Sequence, residues 1–277
     1  MQNPPQEILD QWQLTLIAPV AETGAARVWK VLNSGGTAAA LKLYHRPDRG
    51  NEAAGSEILS SWQDRGAVRI LKETGTAILM EWLEGPTLGD IARRGEYGQA
   101  LVTLAETAKR LHAKATPQIS GLRPLTQVFR PLLECQFAPS CPADLVRDMQ
   151  QATQLAQSLL NSQTRITPLH GDLHPDNVIL SGACPRVIDA KGYLGDLAFE
   201  LANAIRHPKG MPQLVRQPDH MNKCLSLYAD TLGVDRQRLA QWAAAKCALS
   251  IYWRASGPLA QDKEADLLRM LLNAANQ

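Results

Sequence analysis

The sequence predicts an α+β fold in two lobes, a small antiparallel-sheet lobe with one helix followed by a larger, mainly helical lobe. Three observations predict it. The first 84 residues hold short β-prone runs separated by turns rich in Gly, Asn and Ser. The apolar run at 76–83 ends on Glu84-Gly85-Pro86, and apolar residues then recur at helical spacing. One further hairpin pattern, at 178–188, stands alone inside the helical half. The lobes are therefore expected at 1–84 and 85–277.

In the first lobe, residues 14–17 and 27–31 read as strands joined by a turn at 21–26. Asn33-Ser34-Gly35-Gly36 turns the chain into a third strand at 37–44. Lys42 interrupts that otherwise apolar strand, either as an edge lysine facing solvent or as a cation aimed at a ligand. A helix is expected from about Gly50, with Ile58, Leu59 and Trp62 on its apolar face. Glu52 and Glu57 lie five residues apart on it and point in different directions, so only one can pair with Lys42. Glu52, near the helix start, is favoured by the dipole as well. Two more strands follow at 67–71 and 76–83.

In the second lobe, Leu101, Leu104, Ala105, Ala108, Leu111 and His112 form one helical stripe. His112 there reads as a hydrogen-bonded core histidine. Residues 116–140 form a proline-bearing loop with a short helix near 127–135. Asp144 is expected to cap a helix burying Leu145, Met149, Ala152, Ala156 and Leu159. After 192–196 a helix is expected through Leu201 and Ala204. Three helices close the chain, near 219–232, 235–253 and 261–275, the middle one with Leu239, Trp242, Ala245, Leu249 and Trp253 on one face.

Composition limits the function. The chain has 277 residues, 45% hydrophobic and 20% charged, with a formal net charge of +2. That balance gives no footprint for nucleic acid or a membrane surface. No run is long enough for a membrane span, and residues 1–11 lack the apolar stretch of a secretory signal. Five cysteines at irregular spacings point to reduced thiols and a cytoplasmic setting.

Chemistry concentrates at 170–189, which begins His170-Gly171-Asp172-Leu173-His174-Pro175-Asp176-Asn177 and ends on Asp189. Asp172 and Asn177 are five positions apart. The hairpin of 178–180 and 186–188 brings Asn177, before its first arm, beside Asp189, after its second. A carboxylate to take a hydroxyl proton, with an amide and a second carboxylate for a metal, is the set that magnesium-dependent phosphoryl transfer needs. There is no G-x-x-x-x-G-K-[ST] loop. The turn at 22–26 has only Gly24, which with its small neighbours must admit phosphates if they bind there. Beyond the strand at 76–83, the backbone of Glu81 to Leu83 is the candidate contact for an adenine edge.

Read together, the Lys42 strand, the linker 79–85, the Leu111-His112 helix end and the 170–177 loop resemble the aminoglycoside phosphotransferase family, small-molecule kinases with a protein-kinase-like fold. Residues 65–69 and 187–196 are most similar to its streptomycin 6-phosphotransferase and hydroxyurea phosphotransferase branch. The resemblance implies Asp172 as catalytic base, Asn177 and Asp189 as Mg²⁺ ligands, Lys42 on the phosphates of ATP, and a first-lobe glutamate holding Lys42. It also implies that His170 braces the loop and that Asp196 bonds the catalytic loop. His174 stays open between loop packing and contact with substrate. Glu200 stands where the family usually has Asp. The implied partner is a small-molecule acceptor, of aminoglycoside or hydroxyurea type.

Two rivals remain. A metallohydrolase would use His170, Asp172, His174 and Asp176, and a nucleotide-binding pseudokinase would bind without turnover. An aminoglycoside pocket would also need acidic side chains facing a polycation. The candidates include Asp219, Asp235, Asp262, Glu264 and Asp266, at positions that read equally as caps or solvated faces.

Overall fold

Strand periodicity builds the first lobe. In the computed structural model, which describes residues 2–182 and 184–277 and only the backbone of Asn51, strands β1 (Thr15–Glu22), β2 (Ala26–Leu32) and β3 (Ala38–Tyr44) form an antiparallel meander. With β4 (Ile70–Glu73) and β5 (Ala77–Glu81) they make one sheet in the order β1-β2-β3-β5-β4. Successive side chains alternate faces. Ala39, Leu41, Ala77 and Leu79 therefore face one way and pack on Leu9 and Trp12 of helix α1 (Gln6–Trp12). Lys42, opposite Ile78, faces the other way with Tyr44 and Met80, toward the second lobe.

Several details differ from the sequence reading. Helix α1 was not expected; its seven residues carry only two buried anchors, too few for a periodic signal. Strand β1 runs longer than expected, with Pro19 at a register shift on the sheet edge, where a missing N–H costs least. The expected helix from Gly50 splits into a 3₁₀ turn, Gly50–Glu52, and helix α2 (Gly55–Ser61). Ala67 and Val68 lie ahead of β4: Val68 N–H donates to the Val187 carbonyl at 2.9 Å and Val187 N–H to Gly66 at 2.9 Å, tying the lobes together.

The second lobe follows from helical apolar stripes. Short α3 (Leu88–Ile91) starts on a capping box of Thr87 and Asp90 and leads through a wider turn, Ala92–Glu96, into α4 (Tyr97–Leu111). Then come α5 (Leu125–Leu133) and α6 (Ala143–Asn161). Pro142, not Asp144, occupies the α6 N-cap; Asp144 sits in the first turn, paired with Arg269. Strand β7 (Ile166–Leu169) pairs with β10 (Tyr193–Asp196), which also pairs with β6 (Arg123–Pro124); β8 (Val178–Ser181) and β9 (Cys184–Val187) form the expected hairpin. The expected helix after Asp196 is instead two 3₁₀ turns, Leu197–Phe199 and Ala202–Arg206. Helices α7 (Pro212–Val215), α8 (Pro218–Leu232), α9 (Arg236–Arg254) and α10 (Ala265–Ala275) complete the lobe.

Helix α9 is buried nearly all round, and its run of alanines lets neighbouring helices approach closely. Trp242 is core, whereas Trp253 at its end is 43% exposed and leaves the stripe expected for it. The fold is thus bilobal, a small antiparallel sheet lobe and a larger, mainly helical one. All five cysteines are free, and among the described residues no helix is long and apolar enough to cross a membrane.

Candidate active site

Lys42 is placed by β3 at the inner face of the sheet and is 5% exposed, so the solvent-facing alternative does not hold. Its Nζ lies 2.6 Å from Glu52 Oε2 and 2.9 Å from Asp189 Oδ1. Burial alone would lower its pKa, but Asp189, Tyr44 and Glu52 outweigh that and hold it above the ordinary lysine value. Glu57 is exposed, and Glu52 is the glutamate at Lys42. The other oxygen of Glu52 meets Lys191 Nζ at 2.5 Å, so one buried carboxylate bridges two ammonium groups.

Two glycines set the spacing. A Cβ on Gly55 would sit 2.1 Å from the Ala190 carbonyl oxygen, so only glycine lets α2 lie against the segment after Asp189. Gly171 has φ +81°, and a Cβ there would lie 2.6 Å from the Tyr193 ring. It lets the loop turn directly before Asp172. His170, fully buried, accepts at Nδ1 from Asp172 N–H (3.3 Å) and donates from Nε2 to the Ile188 carbonyl (2.8 Å). Its own N–H donates to Glu200 Oε1 at 3.1 Å, so the longer Glu200 side chain reaches the loop where an aspartate is usual. His112 points Nε2 at Glu200 from 3.4 Å without hydrogen-bond geometry and packs edge-on to Trp62, which corrects the hydrogen-bonded reading.

Asp172 accepts from Asn203 Nδ2 at 2.7 Å. Burial opposes its ionisation, but His174, Lys246 and Lys191 outweigh burial and hold its pKa below the usual carboxylate range. Burial holds the His174 pKa well below its ordinary value and pushes that of His207 down to about 4. Asn177 Nδ2 donates to the Asp172 carbonyl at 3.0 Å, and its Oδ1 has no hydrogen-bond partner among the described residues. Ile188 N–H donates to the Asn177 carbonyl at 3.0 Å, so the hairpin sets Asn177 beside Asp189, whose φ is +59°. Lys42 and Lys191 outweigh burial at Asp189 and keep its pKa low. One amide oxygen and one carboxylate on adjacent segments form a hard donor set that fits Mg²⁺.

The remaining expected residues lie around this centre. Glu81 closes β5, with its carboxylate on Arg186 and on the Arg69 N–H (2.8 Å) and its own N–H on the Arg69 carbonyl (2.9 Å). Among the described residues the Leu83 backbone has no backbone partner and so can serve a ligand edge. In the β1–β2 turn Thr23 Oγ1 takes the Ala25 and Ala26 N–H groups, and a Cβ added at Gly24 would meet nothing within 4 Å. Asp196 is structural but bonds Arg238 and Trp242 of α9 rather than the catalytic loop. His174 stacks on His207 with centroids 3.9 Å apart and planes 8° from parallel.

Parallel rings cannot direct two in-plane lone pairs at one ion, and Asp176 beside them is held by Arg93 (2.7 Å) and Lys209 N–H (3.1 Å). The His/Asp cluster therefore does not support the metallohydrolase reading. Sequence reasoning did not single out Lys191, Asn203 or Lys246. Asn203 and Lys246 each stand as a lone polar residue in an apolar run, the same signal that marked Lys42.

Sheet lobe, loop and family match together make the chain a small-molecule kinase. More narrowly, the chain belongs to the aminoglycoside/hydroxyurea antibiotic resistance kinase family, whose pattern matches residues 11–257. It is 33% identical over 253 residues to streptomycin 3''-kinase of Klebsiella pneumoniae, covering 88% of this chain and 90% of that one. It is 30% identical over 261 residues to streptomycin 6-kinase of Streptomyces glaucescens, covering 90% and 81%. The fold is similar to amicoumacin kinase hAmiN, solved with AMP-PNP, Ca²⁺ and Ami, at a TM-score of 0.67 and 13% identity over 98% of this chain and 93% of that one.

Proposed function

We propose that the protein transfers the γ-phosphoryl group of ATP to a hydroxyl of a small molecule. The observation that carries this reading is the contact of Lys42 with Asp189 across 147 positions of sequence, beside an Asn177 that bonds the Asp172 carbonyl and accepts from Ile188 N–H. Residues 1–84 act as the nucleotide lobe and 85–277 carry the catalytic loop and acceptor site. The Leu83 backbone, with that of Glu81, meets the adenine edge, and the Gly24 turn covers the phosphates. Lys42, held by Glu52, neutralises phosphate charge. Asn177 and Asp189 hold Mg²⁺, which when bound supplies charge neutralisation on the transferred group. Asp172 orients the acceptor hydroxyl and takes its proton as the new O–P bond forms and the bond to ADP breaks.

The acceptor is proposed to be streptomycin-like or hydroxyurea-like, in an antibiotic-resistance role, which the family match and the two streptomycin kinases support. A second reading, a different small metabolite, is favoured by the charge of the cleft beside Asp172. That cavity, about 320 Å³, is lined by five basic side chains and by Asp172 as its one acid.

An ADP-release assay with streptomycin, hydroxyurea and small sugar or amino alcohols tests the reading. ADP release should require both added magnesium and an acceptor. Asp189→Ala should abolish magnesium-dependent ATP binding; unchanged nucleotide affinity in that variant would place the metal site elsewhere.

A further inference from the structure

The acceptor cleft presents a buried positive charge whose one neighbouring acid in the lining, Asp172, is beyond ion-pair distance. Lys246, on α9, is 5% exposed and lines the cavity beside Asp172. Among the described residues its Nζ bonds only Ser250 Oγ, at 3.1 Å, and it rests over the Trp253 ring at 4.9 Å. Among the described residues no carboxylate lies within 4.0 Å of it. Of the other cations of the wall, Arg206 is engaged with Glu264, Arg254 with Asp262 and Glu264, and Lys191 with Glu52, while Lys209 is exposed to solvent.

An unpaired buried ammonium is costly, and burial lowers the Lys246 pKa to about 8. Such a group persists where a ligand supplies the missing charge. Of the acids expected to face a polycation, Asp219 is exposed and does not line this cavity, and the other four are spent elsewhere. Asp262 and Glu264 hold the wall arginines, Asp266 holds Arg216, and Asp235 caps α9. An adjoining cavity of about 600 Å³ shares Arg206, Lys209 and Arg254 and adds Arg216 and Lys263, so the positive lining continues outward.

We infer that the acceptor is a small hydroxy compound carrying a carboxylate or phosphate group, with that anion seated at Lys246 and the reacting hydroxyl at Asp172. The inference rests on the kinase reading of this cleft and develops the second acceptor reading, a different small metabolite, in place of the streptomycin-like one. A hydrogen-bond chain sets the two ends of the acceptor apart. Lys246 meets Ser250; Ser250 meets Arg206 (2.9 Å); Arg206 meets Asn203 Oδ1 (2.8 Å); and Asn203 meets Asp172 (2.7 Å). Arg206 thereby fixes the Asn203 amide with its NH₂ toward Asp172. Trp253 supplies an apolar wall beside the anion seat. A polycation entering the cleft would meet five basic side chains against the single carboxylate of Asp172.

The test is calorimetric titration of the chain saturated with Mg·AMP-PNP, which fills the phosphate sites of the nucleotide. The probes are sulfate, gluconate, its uncharged counterpart sorbitol, and streptomycin. Sulfate and gluconate should bind at least tenfold more tightly than sorbitol, and streptomycin more weakly than either anion. Lys246→Met, which keeps the length of the side chain and removes the charge, should weaken sulfate and gluconate at least tenfold. Lys246→Gln repeats the measurement if the Met variant does not fold. Tighter binding of streptomycin than of sulfate overturns the inference, as do absent sulfate binding and unchanged sulfate affinity in the Lys246 variants. Failure of Mg·AMP-PNP to bind would instead count against the kinase reading, and sulfate binding is then still read on the free chain.

Discussion

Asp172→Asn should lower turnover by roughly 10²–10⁴-fold, the usual weight of a general base, while nucleotide binding is retained. The substitution is nearly isosteric, and the new amide oxygen can still accept from Asn203 Nδ2, so the loop has no reason to collapse. The variant removes the negative charge that draws the acceptor proton. His174 and the lysines near Asp172 hold its pKa below the ordinary carboxylate range, so it is a weak base that stays ionised in acid. A loose phosphoryl-transfer transition state suits such a group, because proton transfer comes late and orientation matters most. The acid limb of kcat/KM should then fall below about pH 4, the ordinary carboxylate value. Near-normal turnover in Asp172→Asn would remove it from the chemistry, and an acid limb near neutrality would point to a different base.

The parts of the site that were legible in the sequence are those fixed by local geometry. A hairpin of known arms must bring Asn177 to Asp189, and the structure ties them through the Ile188 N–H. Alternation along β3 and β5 separates Leu41, facing α1, from Lys42, facing the second lobe, so a lone lysine in an apolar strand was informative. Other features depend on approaches between elements distant in sequence, and no spacing carries them. Glu52 serves Lys191 as well as Lys42 because Gly55 lets α2 settle onto Ala190. Asn203 reaches Asp172 from a 3₁₀ turn that reads as helix. The acids after Asp189 were visible, but their arginine partners were not, and those pairings leave the cleft basic. The sequence therefore spoke for the phosphoryl-transfer end of the site and left the acceptor end to packing around α9.

Glu52→Gln should destabilise the protein by about 3–5 kcal/mol, the cost of removing one partner from a buried ion pair. Glu52 is 4% exposed and each of its oxygens meets an ammonium group, Lys42 at 2.6 Å and Lys191 at 2.5 Å. A glutamine offers one acceptor and one donor, so an NH₂ group would face one of the lysines across a distance built for opposite charges. Lys191 would then have no carboxylate within 4.0 Å among the described residues. Lys42 would retain only Asp189, whose carboxylate it would hold away from a metal. Stability and magnesium-dependent nucleotide affinity should thus fall together, read as a shift in the unfolding midpoint and a weaker titration with Mg·AMP-PNP. Glu57→Gln is the matched control: Glu57 is exposed, and its loss should stay within about 0.5 kcal/mol. Equal losses in the two variants, or a Glu52→Gln protein as stable as the parent, would mean that the two lysines do not depend on that carboxylate.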